Sequence, residues 1–215
     1  MKKKPIGFYN YTVILTYCGT LCALIGMMLV LKGRFLLSMI TLILSGLCDM
    51  FDGTVAAKRE RTRAEKTFGM QIDSLSDLIS FGVFPALFGY VCCGQSFAAG
   101  IISIVFVFCG LIRLAYFNVL EDERKWNNDN TEKTFVGVPI TTIAIILPAA
   151  YFISNSKIIN SNILITVILG LSAAGFIFPV TIKKPRKTGK ILLVLIGAII
   201  FIAITALIIY REILI

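Results

Sequence analysis

The sequence contains no histidine and few charged residues, and each shortage excludes a class of protein. Without histidine, the commonest general base of enzymes is missing, so any acid–base step must use a carboxylate, a lysine or a tyrosine. Only 15% of the 215 residues are charged, whereas a soluble domain averages about 25%. With 57% hydrophobic residues and a mean hydropathy of +0.88, the chain is predicted to be an integral membrane protein.

Cysteine is present, but the absence of histidine excludes a mixed Cys/His metal site. All six cysteines lie in or beside apolar segments, where a thiol behaves as a small hydrophobic group. We therefore interpret them as packing residues: Cys18, Cys22, Cys48, Cys92, Cys93 and Cys109.

Seven apolar runs approach the length of about 20 residues that a helix needs to span a bilayer. We expect helices at residues 11–31, 35–57, 69–93, 97–119, 136–154, 161–181 and 191–210. The first run is too long for the core of a signal peptide. The predicted fold is an all-α, polytopic helical bundle in one membrane domain, residues 1–215, with about six core spans and one additional C-terminal span.

Lysine and arginine are distributed unevenly between the predicted loops. A cytoplasmic N-terminus places sixteen of the 21 basic residues on the inner side, four on the outer side and Arg113 within a span. Because cytoplasmic loops are enriched in lysine and arginine, we predict a multi-pass protein of the cell membrane with its N-terminus inside. Basic loops beside anionic lipid also account for the net charge of +9, so we predict no nucleic-acid partner.

Four aspartates form two pairs in a chain that is otherwise mostly hydrocarbon. Asp49 and Asp52 are three residues apart, so they share one helix face. Gly69, Asp73 and Asp77 follow one another at intervals of four and form a second stripe. If neighbouring helices carry the two pairs, the four carboxylates converge at or just inside the cytoplasmic face.

Convergence of four carboxylates is unfavourable unless a cation offsets their repulsion. Acidic residues in membrane segments are rare and face a cavity or a partner. No lysine or arginine is spaced within either stripe to neutralise all four acids, whereas hard divalent cations take oxygen ligands. Two metal ions bridged by carboxylates are a known device for phosphoryl transfer, and the pattern predicts a site of this kind.

Two basic features each keep two interpretations. The segment Lys58–Lys66 is either a solvated loop that obeys the positive-inside rule or a guide for a polyanionic substrate. Arg113 either extends to the lipid head groups or binds an anion beside the carboxylates. We favour anion binding, because an ionisable residue within a span is by default a functional one.

The spacing of the acidic segments resembles the signature of the CDP-alcohol phosphatidyltransferases, D-x2-D-G-x2-A-R-x8-G-x3-D-x3-D. Seven positions agree: Asp49, Asp52, Gly53, Ala56, Gly69, Asp73 and Asp77. Three further segments are similar to the phosphatidylserine synthase branch of that family: 81–85, 110–118 and 135–139. The resemblance covers roughly residues 6–182, and we interpret the helix at 191–210 as an addition.

The chain departs from the signature at two points. Ala57 occupies the position of the signature arginine, and eleven residues separate it from Gly69 instead of eight. The insertion falls in the basic segment, so the carboxylate spacing is intact. Lys58 and Arg59 follow Ala57, and we expect Arg59 to take the place of the arginine.

The resemblance implies an enzyme of phospholipid biosynthesis. It would transfer the phosphatidyl group of CDP-diacylglycerol to the hydroxyl of L-serine, giving phosphatidylserine and CMP. Two divalent ions, Mg²⁺ or Mn²⁺, would be held by Asp49, Asp52, Asp73 and Asp77, and Asp77 would also be the general base. The implied contacts with CDP-diacylglycerol are Asp52, Gly53, Ala56, Arg59, Gly69 and Asp73. We expect Arg113 and Asn118 to bind the acceptor or the transferred phosphate, and we expect a homodimer in the bilayer.

Other functions remain open at this point. All branches of the family share the four aspartates, so glycerol 3-phosphate, inositol or inositol phosphate are alternative acceptors. A membrane cation transporter is the alternative from another class, although transporters usually bind near the bilayer midplane. A structural protein with solvated acids is disfavoured, because solvated acids need no fixed spacing.

Overall fold

The computed structural model describes residues 7–8, 13–56, 60–126, 134–154, 161–179, 181–183 and 195–206. Within these residues the chain is mostly helical. The helices are α1 Ile14–Leu31, α2 Phe35–Ala56, α3 Arg63–Asp77, α4 Phe84–Cys92, α5 Phe97–Trp126, α6 Ile143–Ser154, α7 Ser161–Ile177 and α8 Leu195–Ala206. A π-helical segment, Leu78–Val83, joins α3 to α4, and a 3-10 turn, Ile140–Thr142, precedes α6.

Four helical stretches of the described chain are long and apolar enough to cross a membrane: Ile14–Leu31, Phe35–Ala56, Arg63–Cys92 and Phe97–Glu123. Three further apolar helices are shorter: Ile140–Ser154, Ser161–Ile177 and Leu195–Ala206. Large apolar side chains such as Met28, Phe108 and Leu171 are exposed on the outer faces of the helices. Such faces are unfavourable in water and favourable in lipid. The predicted all-α, polytopic membrane fold is therefore confirmed, and the two ends of the predicted last helix lie outside the described residues.

Helix α3 begins at Arg63, well before the predicted start at Gly69. Thr62 caps it: the Thr62 hydroxyl accepts a hydrogen bond from the Glu65 amide (3.2 Å), and the Glu65 carboxylate accepts one from the Thr62 amide (2.9 Å). This capping box starts the helix within the basic segment that hydrophobicity alone assigned to a loop. Lys66 therefore lies on a helix and not in a loop.

The helix that carries Asp73 and Asp77 changes its winding directly after the second aspartate. It widens into the π segment Leu78–Val83, and α4 follows with Pro85 in its first turn. Proline has no amide hydrogen, so the regular ladder of backbone bonds is interrupted there. π turns are frequent at functional sites, and this one places Ser80 in the protein interior.

A short β ladder, absent from the sequence prediction, joins two of the predicted loops. Strand β1, Thr134–Val136, pairs antiparallel with strand β2, Thr181–Lys183. Gly137 follows β1 with a φ of 80°, a conformation that favours glycine. The amide of Val138 then donates to the carbonyl of Gly175 at 3.1 Å. The predicted helices at 136–154 and 161–181 are shortened accordingly, because hydrophobicity does not reveal pairing between distant three-residue strands.

Glycines let α2 pack closely between its neighbours. A Cβ at Gly26 of α1 would collide with the Phe84 ring and the Thr41 hydroxyl, and a Cβ at Gly46 of α2 would lie 2.8 Å from the Ala144 side chain. Small residues of this kind allow helix backbones to approach in membranes. Helix α2 is therefore held tightly between α1 and α6.

An aromatic cluster fixes the end of α2 that is remote from the aspartates. Phe35, Phe88 and Tyr151 meet edge to face, with ring centroids 5.2 to 6.3 Å apart. The three rings come from α2, α4 and α6. One end of α2 is thus anchored by rings, and the opposite end carries the acidic residues.

Candidate active site

The two acidic stripes lie at the same end of the helix bundle. Asp49 and Asp52 occupy the last two turns of α2, and Asp73 and Asp77 occupy the last two turns of α3. Helix α1 packs against both of these helices and forms a third wall. The spacing within each stripe directs its carboxylates to one face, and the packing turns the two faces toward each other.

The carboxylates form one cluster. Oxygen atoms of Asp49, Asp52 and Asp73 all lie within 4.8 Å of one another. The side chain of Asp77 contacts that of Asp49, and the side chain of Asp52 contacts that of Asp73. Asp52 is only 8% exposed, and the other three are partly buried. The structure therefore brings the four predicted site aspartates together.

Hydroxyl groups of α1 hold the cluster in place. Thr16 Oγ1 donates a hydrogen bond to Asp52 Oδ2 at 3.0 Å, and both side chains are buried. Ser76 Oγ of α3 donates to the Thr16 carbonyl at 3.4 Å and also bonds the Thr20 hydroxyl. These bonds connect α1 to both acidic helices, so α1 orients Asp52. The sequence analysis missed Thr16; the signal for it was a pair of threonines four residues apart in an apolar span.

A small cavity lies within the cluster. Its walls come from α1, α2, α3 and the π segment, and they include all four aspartates. Four hydroxyl residues also line it: Thr16, Ser45, Ser76 and Ser80. The cavity is therefore polar at the centre of an otherwise apolar bundle.

The two predicted acceptor residues reach the cluster from α5. Arg113 is 8% exposed and interacts electrostatically with Asp77. Its Nε has no hydrogen-bond partner among the described residues. Asn118 accepts a hydrogen bond from Ser74 Oγ at 3.0 Å, and Ser74 is adjacent to Asp73 in the chain. Arg113 thus interacts with the cluster through the charge of Asp77, whereas Asn118 reaches it through Ser74.

The small residues of the signature leave space beside the acids. A Cβ at Gly53 would meet nothing within 4 Å, and Ala56, partly buried, is the last residue of α2. Arg59 lies outside the described residues, so its assignment stays a prediction. The sequence analysis did not single out Arg61. Its guanidinium lies 3.2 Å from the place of a Cβ at Gly69, and its Nε is buried without a partner in the described part of the chain.

The donor set fits a divalent cation. Three carboxylates whose oxygens lie within 4.8 Å of one another supply only hard oxygen ligands, which suit Mg²⁺ and Mn²⁺. Ionised carboxylates this close repel one another, and a shared cation would offset that repulsion. Asp49 and Asp73 interact mainly with other carboxylates, and Asp52 also interacts with the Thr16 hydroxyl. The cluster could therefore hold a divalent metal.

Comparison with known proteins identifies the family. The sequence model of the CDP-alcohol phosphatidyltransferases matches residues 9–177, which include both acidic stripes. The chain belongs to the CDP-alcohol phosphatidyltransferase family. The family resemblance predicted from the signature is thereby confirmed.

Three relatives are 31–39% identical to the chain. A CDP-diacylglycerol–serine O-phosphatidyltransferase of Methanocaldococcus jannaschii is 31% identical over 191 residues, which cover 89% of this chain and 83% of the relative. The enzyme of that name from Saccharomyces cerevisiae is 39% identical over 122 residues, which cover 55% of this chain and 43% of the relative. An archaetidylserine synthase of Methanothermobacter thermautotrophicus is 31% identical over 150 residues, covering 69% and 60%. The chain therefore spans less than two thirds of the last two relatives.

Replacement of Thr16 by valine tests whether α1 orients the carboxylate cluster. Valine keeps the side-chain shape but removes the hydrogen bond to Asp52. Because a hydrogen bond of this kind orients a metal ligand, its loss is expected to weaken Mn²⁺ binding by about 10- to 100-fold. Electron paramagnetic resonance of Mn²⁺ titrated into the purified protein measures the affinity.

The matched control for this variant is Thr205→Val. The Thr205 hydroxyl bonds only carbonyls of its own helix, those of Phe201 and Ile202, among the described residues. Its replacement is expected to leave Mn²⁺ affinity unchanged. Equal affinities of Thr16→Val and the unaltered protein would contradict the orienting role.

Proposed function

We propose that this protein transfers the phosphatidyl group of CDP-diacylglycerol to L-serine, forming phosphatidylserine and releasing CMP. The proposal depends on one observation: carboxylates from two helices lie close together at one end of the helix bundle. They are Asp49 and Asp52 of α2 and Asp73 and Asp77 of α3. The printed names of the relatives support serine as the acceptor. The names of the relatives indicate two different lipid substrates. We propose CDP-diacylglycerol because two of the three relatives named above carry it in their names.

The lipid substrate has parts of opposite character, and the proposed site suits both. Its acyl chains would lie in the bilayer beside the exposed apolar helix faces, and its diphosphate would lie at the carboxylate cluster. The open space beside Gly53, together with Gly69, supports close approach of the cytidine to the backbones of α2 and α3. Ala56, Asp52 and Asp73 complete the proposed contacts with CDP-diacylglycerol.

Arg61 is our candidate for the cation that binds the diphosphate. Its guanidinium lies over Gly69. Its buried Nε is a hydrogen-bond donor that has no acceptor among the described residues. An arginine pairs well with phosphate because its planar group donates two parallel hydrogen bonds. We therefore place Arg61 beside or instead of Arg59 in the role of the signature arginine.

Two divalent ions, Mg²⁺ or Mn²⁺, are proposed to bind at Asp49, Asp52, Asp73 and Asp77. When bound, they would offset the negative charge that develops on the departing CMP. The protein's own part is to fix the carboxylates by means of the two helix ends and the Thr16 hydrogen bond. Asp52 is only 8% exposed, so its carboxylate has little contact with bulk water.

Asp77 is proposed as the general base. The serine hydroxyl oxygen attacks the lipid-side phosphorus and forms a new P–O bond, its proton passes to the Asp77 carboxylate, and the bond to CMP breaks. A carboxylate is the natural base here because the chain has no histidine. The closeness of Arg113 to Asp77 supports a role for Arg113 in binding the carboxylate of serine or the transferred phosphate. Asn118 is assigned to the same pocket through its bond to Ser74.

We propose that the site opens on the cytoplasmic side of the cell membrane, with the N-terminus also inside. The distribution of the 21 basic residues supports this orientation, and a topology reporter fused at Met1 measures it.

A single membrane domain, with a family core at 6–182 and an added helix at 191–210, remains our expectation. A homodimer is proposed from the family resemblance alone, and light scattering of the detergent-solubilised protein measures the oligomeric state.

The acceptor is tested by CMP release from CDP-diacylglycerol with each candidate alcohol. We expect release with L-serine and only background release with glycerol 3-phosphate, inositol or inositol phosphate. A chelator is expected to abolish release, and added Mg²⁺ or Mn²⁺ to restore it, because the cluster offers only oxygen ligands. Release with another alcohol but not with serine would overturn the acceptor assignment. Metal-dependent cation flux into liposomes without CMP formation would favour a transporter instead.

Replacement of Asp77 by asparagine tests the base. Asparagine keeps the shape of the side chain but cannot accept the serine proton, so turnover is expected to fall by about 100-fold or more. The measurement is kcat for phosphatidylserine formation, with thermal unfolding of the same sample as the check on folding. Glu123→Gln is the matched control, since this acid is exposed near the end of α5. Undiminished kcat in Asp77→Asn would eliminate Asp77 as the base.

Replacement of Arg61 by glutamine tests the diphosphate contact. Loss of a charge-assisted pair is expected to raise KM for CDP-diacylglycerol by about tenfold or more, with little change in KM for serine. Arg63→Gln, at an exposed position in the first turn of α3, is the matched control and should leave both values unchanged. Equal KM values in the two variants would remove Arg61 from the site.

A further inference from the structure

Two buried serine hydroxyls beneath the aspartate cluster have no hydrogen-bond partner. Ser45 and Ser80 are each 1% exposed, and neither Oγ bonds any group in the described part of the chain. A hydroxyl that is buried without a partner destabilises the folded protein. Buried polar groups of this kind are normally satisfied by protein or by ordered water. The pair therefore indicates a small ligand between them.

The positions of the two serines relate each of them to one aspartate. Ser45 precedes Asp49 by one turn of α2, and Ser80 follows Asp77 by about one turn, within the π segment. Asp49 and Asp77 are themselves in side-chain contact. The two hydroxyls thus form a layer one turn deeper in the bundle than the two carboxylates.

All four side chains line the same cavity. Its volume is about 10 Å³, which is close to the smallest space that holds one water molecule. A buried water needs two to four polar partners, and Ser45, Ser80, Asp49 and Asp77 are among the polar side chains that line the space. A single water molecule therefore has the right size and polarity for the space beside the two hydroxyls.

We propose that Ser45 and Ser80 bind a single structural water molecule that also donates to the Asp49–Asp77 pair. The water forms hydrogen bonds with both hydroxyls and holds the carboxylate of Asp77 from the inner side of the bundle. The other carboxylate oxygen of Asp77 then remains free for the substrate. Ser45 and Ser80 are thus positioning residues and not catalytic ones. The existence of the water is independent of the proposed function, whereas its effect on turnover rests on that function.

Removal of either hydroxyl is expected to empty the water site. Ser45→Ala and Ser80→Ala should each lower kcat for phosphatidylserine formation by roughly tenfold, since a hydrogen bond to a charged group is lost, while KM for CDP-diacylglycerol stays the same. Because both variants lose the same water, the double variant should be no slower than the slower single variant. Ser103→Ala is the control: its hydroxyl donates to the Ala86 carbonyl, away from the cluster, and kcat should not change.

A crystal structure at a resolution that shows ordered water gives the second, activity-independent readout. We expect one density peak within hydrogen-bonding distance of both Oγ atoms in the unaltered protein, and no peak in Ser80→Ala. An empty cavity, a metal-like peak at this position, or a double variant whose losses multiply would overturn the proposal. Failure of the proposed function is distinguishable, since it would appear as absent CMP release in the unaltered protein with the water peak still present.

Discussion

Four carboxylates confined to the ends of two apolar helices set the constraint on which the rest of the structure depends. Asp49, Asp52 and Asp73 lie within 4.8 Å of one another, a distance at which like charges in a membrane protein repel strongly. Packing holds such a cluster together, and a bound cation would offset its repulsion. The glycine contacts of α2, its distant aromatic anchor and the Thr16 hydrogen bond all act to hold it.

The packing contacts that hold α2 and the acidic residues that it presents lie in different parts of the helix. Helix α2 is fixed at its far end by rings and along its length by close packing, so its acidic end is presented in a defined position. The α3 stripe ends at Asp77, where the winding changes to the π segment. That change brings Ser80 beneath the acids and adds hydroxyls to the cavity. The hydroxyl groups and the four aspartates thus line one cavity at the same end of the bundle.

Part of this structure could be predicted from local sequence patterns, because these depend on neighbours in the chain. Hydrophobic runs gave the helical membrane fold, and the fixed spacing of Asp73 and Asp77 predicted one acidic face. Features that depend on tertiary pairing could not be predicted in this way. The bond of Thr16 to Asp52 spans two helices, the β1–β2 ladder joins distant segments, and the place of Arg61 over Gly69 depends on how the loop folds back.

The central claim is that the four aspartates share a pair of divalent ions at one end of the bundle. Anomalous diffraction from crystals grown with Mn²⁺ tests it most directly, because manganese is located independently of any activity. The account predicts two manganese peaks within bonding distance of carboxylate oxygens of Asp49, Asp52, Asp73 and Asp77. Manganese absent from this cluster under saturating conditions, or bound only elsewhere on the chain, would contradict the account.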